Sequence, residues 1–89
     1  MQQVTRMLDA GVTLATAIKE SLSSLPEPLT IDAFAGKHGI NPSVVSAVIN
    51  GAVRATDPVV TALIAELGGT SYEWRIALWE AARPSMVEA

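Results

Sequence analysis

The chain contains no cysteine. That single absence excludes a disulfide scaffold, thiolate metal sites and cysteine nucleophiles. Aromatics are scarce: two tryptophans, one tyrosine and one phenylalanine in 89 residues. Cations are scarce as well, with six Lys and Arg against nine Asp and Glu and a net charge of −3. Such a chain does not coat nucleic acid by charge alone, although a local basic surface stays open to it. No apolar run approaches the roughly eighteen residues needed to cross a bilayer. The N-terminal stretch lacks the basic-then-apolar order of a secretory signal, and Asp9 interrupts it. The expectation is a soluble, cytoplasmic protein without membrane contact.

What is present is apolar. Hydrophobic residues reach 49% and charged residues 17%, which excludes a disordered tail. The length makes one small domain, 1–89, near the lower limit for independent stability. Such a domain calls for a well-made helical core or a partner chain.

Helical periodicity dominates, with glycine and proline as punctuation. Val4, Met7, Leu8, Leu14, Ala15, Ile18, Leu22 and Leu25 recur at three- and four-residue steps and form one stripe. Segment 1–29 therefore reads as an N-terminal helix and linker, which Gly11 can divide and Pro26 and Pro28 end. Thr30 reads as an N-cap, and Gly39 stops the short helix that follows. Asn41-Pro42 starts another helix, which ends at Asn50-Gly51. Asp57-Pro58 repeats the cap-plus-proline signature and opens a helix over 57–68. Thr70 and Glu73 make a capping box for the last helix, segment 70–84, which runs to about Arg83 where Pro84 follows. Five helices and no strand alternation predict an all-α domain.

The pair of short helices around Gly39, over 30–51, carries the information. Two such helices joined by a short glycine-containing turn form a helix-turn-helix. Ala35 supplies the small residue needed where the helices cross, and Gly39 the positive φ of the turn. Phe34, Ile40, Val45 and Val48 supply the apolar anchors.

At these residues the chain resembles the lambda-repressor and Cro family of helix-turn-helix domains. Thr30-Ile31-Asp32-Ala33-Phe34-Ala35-Gly36-Lys37-His38-Gly39-Ile40 follows that family's first motif helix and turn. Val45-Ser46-Ala47-Val48-Ile49-Asn50-Gly51 follows its second helix. The resemblance covers roughly residues 12 to 80. It implies a five-helix DNA-binding fold and a transcriptional regulator, a phage or prophage repressor or a Cro-like protein. Such a regulator binds double-stranded operator DNA as a dimer, in a bacterial cell or a phage-infected host. The chain departs from the family at two places. Ile31 stands where many members carry glutamine, and His38 stands where the family is usually apolar.

The second motif helix enters the major groove, and its N-terminal part meets base edges. With Val45, Val48 and Ile49 turned inward, Pro42, Ser43, Val44, Ser46 and Ala47 are the base-reading candidates. Serine bonds to several bases, and Val44 and Ala47 suit a thymine methyl. Thr30, Lys37, Asn50 and Arg54 are the phosphate candidates. On the last helix, Trp74, Ala77, Leu78 and Ala81 share one face, while Tyr72, Ile76, Trp79 and Arg83 share another. One face closes the core; the sequence leaves open which. Tyr72, Ile76, Trp79 and Arg83 are assigned to a homodimer interface.

His38, the only histidine, is expected to face solvent beside the turn rather than to hold a metal. No paired carboxylates, phosphate loop or nucleophile elbow point to an enzyme, and no cofactor is implied. The chain has no room for a separate effector domain, so no small-molecule ligand is expected. The rival reading is a protein-interaction module on a helix-turn-helix frame, an antirepressor or a regulator-binding protein. Negative charge, the lack of cations on the second motif helix and Ile31 favour it.

Overall fold

Glycines and capping residues divide the chain into six helices. They are α1 (Gln2–Asp9), α2 (Leu14–Ser23), α3 (Ile31–Lys37), α4 (Pro42–Ile49), α5 (Asp57–Leu67) and α6 (Ser71–Glu88). The computed structural model describes the backbone of residues 2–88 and the side chains of residues 2–82. Among the described residues there is no strand, and the protein is all-α.

The count is six rather than five because the first apolar stripe is two helices. At Gly11 the backbone takes a φ of +88°. The Val12 N–H then donates back to the Met7 carbonyl at 2.9 Å, closing α1. Thr13 caps α2, its hydroxyl accepting from the Thr16 N–H at 3.3 Å. The same backward bond closes α3, from Ile40 N–H to Ala35 carbonyl, and α4, from Ala52 N–H to Ala47 carbonyl, each at 2.9 Å. Periodicity does not distinguish one bent stripe from two short ones, since both bury the same side chains.

Two further boundaries differ from expectation. Thr56, not Asp57, occupies the N-cap position of α5, and it makes no side-chain bond to the helix. Asp57 lies in the first turn, where its carboxylate pairs with Arg75 of α6. The last helix was expected to end near Arg83 but continues to Glu88, past Pro84. A proline inside a helix forfeits one hydrogen bond and can bend the segment without ending it.

The core forms around α2, which packs on α1, α4, α5 and α6. Ile18 and Leu22 of α2 meet Phe34, Val45, Ile49, Val59, Leu63 and Trp74 in one buried cluster. Burying each such side chain contributes roughly 1.5–3 kcal/mol. Helices as short as α3 and α4 are not stable alone, so this burial holds them helical. Ala35 is fully buried at the α3 crossing, as its small size requires. Met7, Leu8, Leu25 and Ile40 pack on the cluster from its margin.

α6 resolves which of its faces is core. Trp74 is fully buried, and its indole N–H donates to the Gly68 carbonyl at 2.7 Å. Leu78 and Ala82 lie beneath it on the same side. The capping box is formed: Thr70 N–H donates to Glu73 Oε1, and Glu73 N–H to Thr70 Oγ1, both at 3.1 Å. Among the described residues no helix is long and apolar enough to cross a membrane.

Candidate nucleic-acid interface

Opposite faces of α4 have opposite chemistry. The helix starts at Asn41, whose side-chain oxygen accepts from the Ser43 N–H at 2.9 Å, with Pro42 in the first turn. Val45, Val48 and Ile49 point into the core. Pro42, Ser43, Val44 and Ser46 are exposed, and Ala47 is half-buried. The exposed face is therefore short-sided, with two hydroxyls among small apolar groups, and α4 can be approached closely along its length.

That face opens onto a shallow groove of about 640 Å³. Pro42, Ser43, Ser46, Ala47 and Asn50 line it, with Ile31 and Asp32 of α3 and Lys19 of α2 on the opposite rim. Val44 stands outside the groove, on the exposed shoulder of α4 at 38% exposure. Asn50 is partly committed, since its side-chain amide donates back to the Ser46 carbonyl at 2.8 Å. Lys19 was missed by sequence reasoning. Its position next to the buried Ile18 marks it as a surface residue, but only packing sets α2 beside α4.

The phosphate candidates do not form one row. Asn50 alone of the four lines the groove. The Thr30 hydroxyl caps α3 and accepts from the Ala33 N–H at 3.1 Å. Lys37 turns to α5, where its ammonium donates to Glu66 Oε1 at 3.0 Å. Arg54 stands on the loop after α4, against α6, in a cavity with Ala55, Arg75, Leu78, Trp79 and Ala82.

His38 is half-buried rather than facing solvent. Its ring lies 5.2 Å from that of Phe34, and its Nε2 is 2.9 Å from Glu66 Oε2. Glu66 thus holds both Lys37 and His38. The hydrogen bond from Lys37, then that from His38, keeps its carboxyl below the ordinary glutamate value, against the opposing effect of burial. The acid sits 29 residues from Lys37 in sequence, so only the tertiary fold pairs them.

The outer face of α6 is the second exposed surface. Tyr72 is 75% exposed, Trp79 53% and Ile76 42%. The Arg83 side chain lies outside the described residues. The inner side of α6 touches the end of α4 directly. Gly51 has a φ of +77°, and a Cβ built there would come within 2.5 Å of the Ala81 carbonyl oxygen. Only glycine lets the two backbones approach this closely.

No protein family, no curated protein and no solved structure matches the chain.

Proposed function

We propose that the chain is a sequence-specific DNA-binding regulator of transcription. In this reading α3 and α4 form a helix-turn-helix of the lambda-repressor and Cro type within a larger helical domain. The observation that carries it is the open, short-sided face of α4. A helix edged by Ser43, Ser46 and Ala47 can lie deep in a major groove without steric conflict. Ser43 and Ser46 bond to base edges, and Val44 and Ala47 pack on thymine methyls. Lys19 and Asn50 face the phosphates along the groove, with Arg54 and the start of α3 farther out.

Few cations serve such an interface, so binding by one protomer is weak and two protomers share an operator. The outer face of α6, with Tyr72, Ile76 and Trp79, is the surface by which they pair. A phage or prophage repressor, or a Cro-like regulator, is the setting this reading favours. So thin a cationic set predicts a log–log salt slope no steeper than about −6 for the dimer.

The test is selection from a randomised duplex library at about 50–100 mM salt, where ionic contacts still contribute. An enriched inverted repeat supports a dimeric reader, and its spacing reports the dimer geometry. An enriched single half-site retains DNA binding and removes the dimer. No enrichment overturns the reading.

A second reading is favoured by one feature of the site. Glu66 pairs with Lys37, and Asp32 stands on the groove rim, so the face is not uniformly cationic. A protein partner covering Val44 and Ala47 suits that charge pattern. Binding of a regulator protein by a chain that selects no DNA would support this second reading.

A further inference from the structure

We propose that the cavity between the α4–α5 loop and α6 binds a small aromatic carboxylate. The cavity shares no lining residue with the α4 groove, but its occupant competes with pairing through α6 for Trp79 and with the outer phosphate role for Arg54. Its volume is about 320 Å³, just inside the lower end of small-molecule pockets, about 300–1,000 Å³. Ala55, Leu78 and Ala82 supply apolar lining, Trp79 an indole surface, and Arg54 and Arg75 two guanidinium groups.

The charges define the ligand class. Arg75 is already engaged, with Asp57 as its ion pair and the Ser71 hydroxyl accepting from its Nε at 3.1 Å. Arg54 has no ion pair among the described residues. In a chain of net charge −3, an exposed guanidinium at the edge of an apolar cavity, without an acid among the described residues, attracts an anion. Its planar fork matches a carboxylate with two parallel hydrogen bonds. Asp57, paired with Arg75, disfavours a second negative charge on the ligand, which favours a monoanion over a dianion. The indole of Trp79 and the aliphatic lining favour a flat apolar body, for which offset ring stacking is the preferred contact. The volume suits a single ring.

The expectation that no small-molecule ligand binds rested on the lack of room for a separate effector domain. This cavity needs no such domain. It lies between the loop that leaves α4 and the outer face of α6.

The experiment is an NMR titration of the ¹⁵N-labelled full chain with sodium benzoate, and separately with benzamide, at matched ionic strength and without DNA. Saturable shifts are expected at the Trp79 indole N–H and the Ala55 and Ala82 amides, with the Trp74 indole unmoved. Benzamide, lacking the charge, should bind at least roughly tenfold more weakly. Arg54→Gln should weaken benzoate by a similar factor, roughly tenfold, with the thermal midpoint unchanged. No saturable shift, equal binding of benzamide, or an unaffected Arg54→Gln would each overturn the proposal. So would shifts at these residues that follow protein concentration alone and that benzoate does not reverse, since a second copy would then fill the cavity.

Discussion

α4 and α6 both pack one face on the core and leave the other outside, but they do so with opposite materials. α4 exposes Ser43, Val44 and Ser46 and keeps its bulk inward. α6 exposes Tyr72, Ile76 and Trp79, as large as anything it buries except Trp74. A small-sided face permits close approach by a large rigid partner but contributes little apolar area. A large-sided face gains from burial against another apolar surface and is exposed at a cost until covered. The two helices touch at Gly51 and Ala81, so a change at one surface lies one residue layer from the other.

Stability measurements on the two tryptophans should show the largest contrast. Trp74→Ala should cost about 3–5 kcal/mol by urea unfolding, since it empties the core and removes the bond to Gly68. Trp79→Ala should cost clearly less at concentrations where the chain is monomeric, because about half of that side chain is already exposed. Equal losses would mean that both faces of α6 are core. The glycines come next. Gly51→Ala must force a left-handed backbone and displace α6, whereas Gly39→Ala meets open space and bears only the φ strain, about 1–2 kcal/mol. Gly51→Ala should therefore lower the thermal midpoint more than Gly39→Ala. The reverse order would show that α4 and α6 are not in close contact.

Two substitutions separate the exposed faces by function. Ala47→Glu puts an acid at the centre of the groove. It should lower affinity for a selected operator by at least about 100-fold, measured by fluorescence anisotropy, without changing sedimentation. Ile76→Glu should do the opposite, abolishing self-association in sedimentation while leaving half-site binding in place. If Ile76→Glu leaves the sedimentation unchanged, the outer face of α6 is not a pairing surface.

The smallest effect is electrostatic. Glu66 titrates below its ordinary value, so its ion pairs contribute fully above the unfolded carboxyl value of about 4.3. That contribution is lost as pH falls through the lowered folded value. Glu66→Gln should cost a few tenths to about 1 kcal/mol near neutral pH, because Lys37 is 54% exposed. The difference from the parent chain should shrink below about pH 4. A constant difference across that range would mean that the ion pairs contribute nothing.

Much of the fold was legible because its signals are local. Caps at Thr30, Asn41 and Thr70 and stops at Gly39 and Gly51 act within one turn of backbone, and each stands where the sequence pointed. Gly11 is the same kind of stop: the sequence allowed a break there, and the apolar stripe running through it left one helix or two open. Asp57 misled by one position: Thr56 before it is itself a cap-type residue and takes the N-cap, which leaves Asp57 in the first turn. The outward residues of α4 were readable from periodicity once its inward ones were known. The scattering of Lys37 and Arg54 was not readable, because Lys37 turns to Glu66 of α5 and the loop after α4 sets Arg54 against α6.

The sequence by itself determined an all-α chain, where most of its helices begin and end, and which residues of α4 face out. Those properties follow from backbone conformation and from a helical period that any short segment carries within itself. Only the tertiary structure decided that Trp74 rather than Trp79 is core, that Lys19 stands on the rim of the α4 groove and that Glu66 claims Lys37. It alone set Arg54 against α6. These depend on which helices lie side by side, and close packing settles that over the whole chain at once.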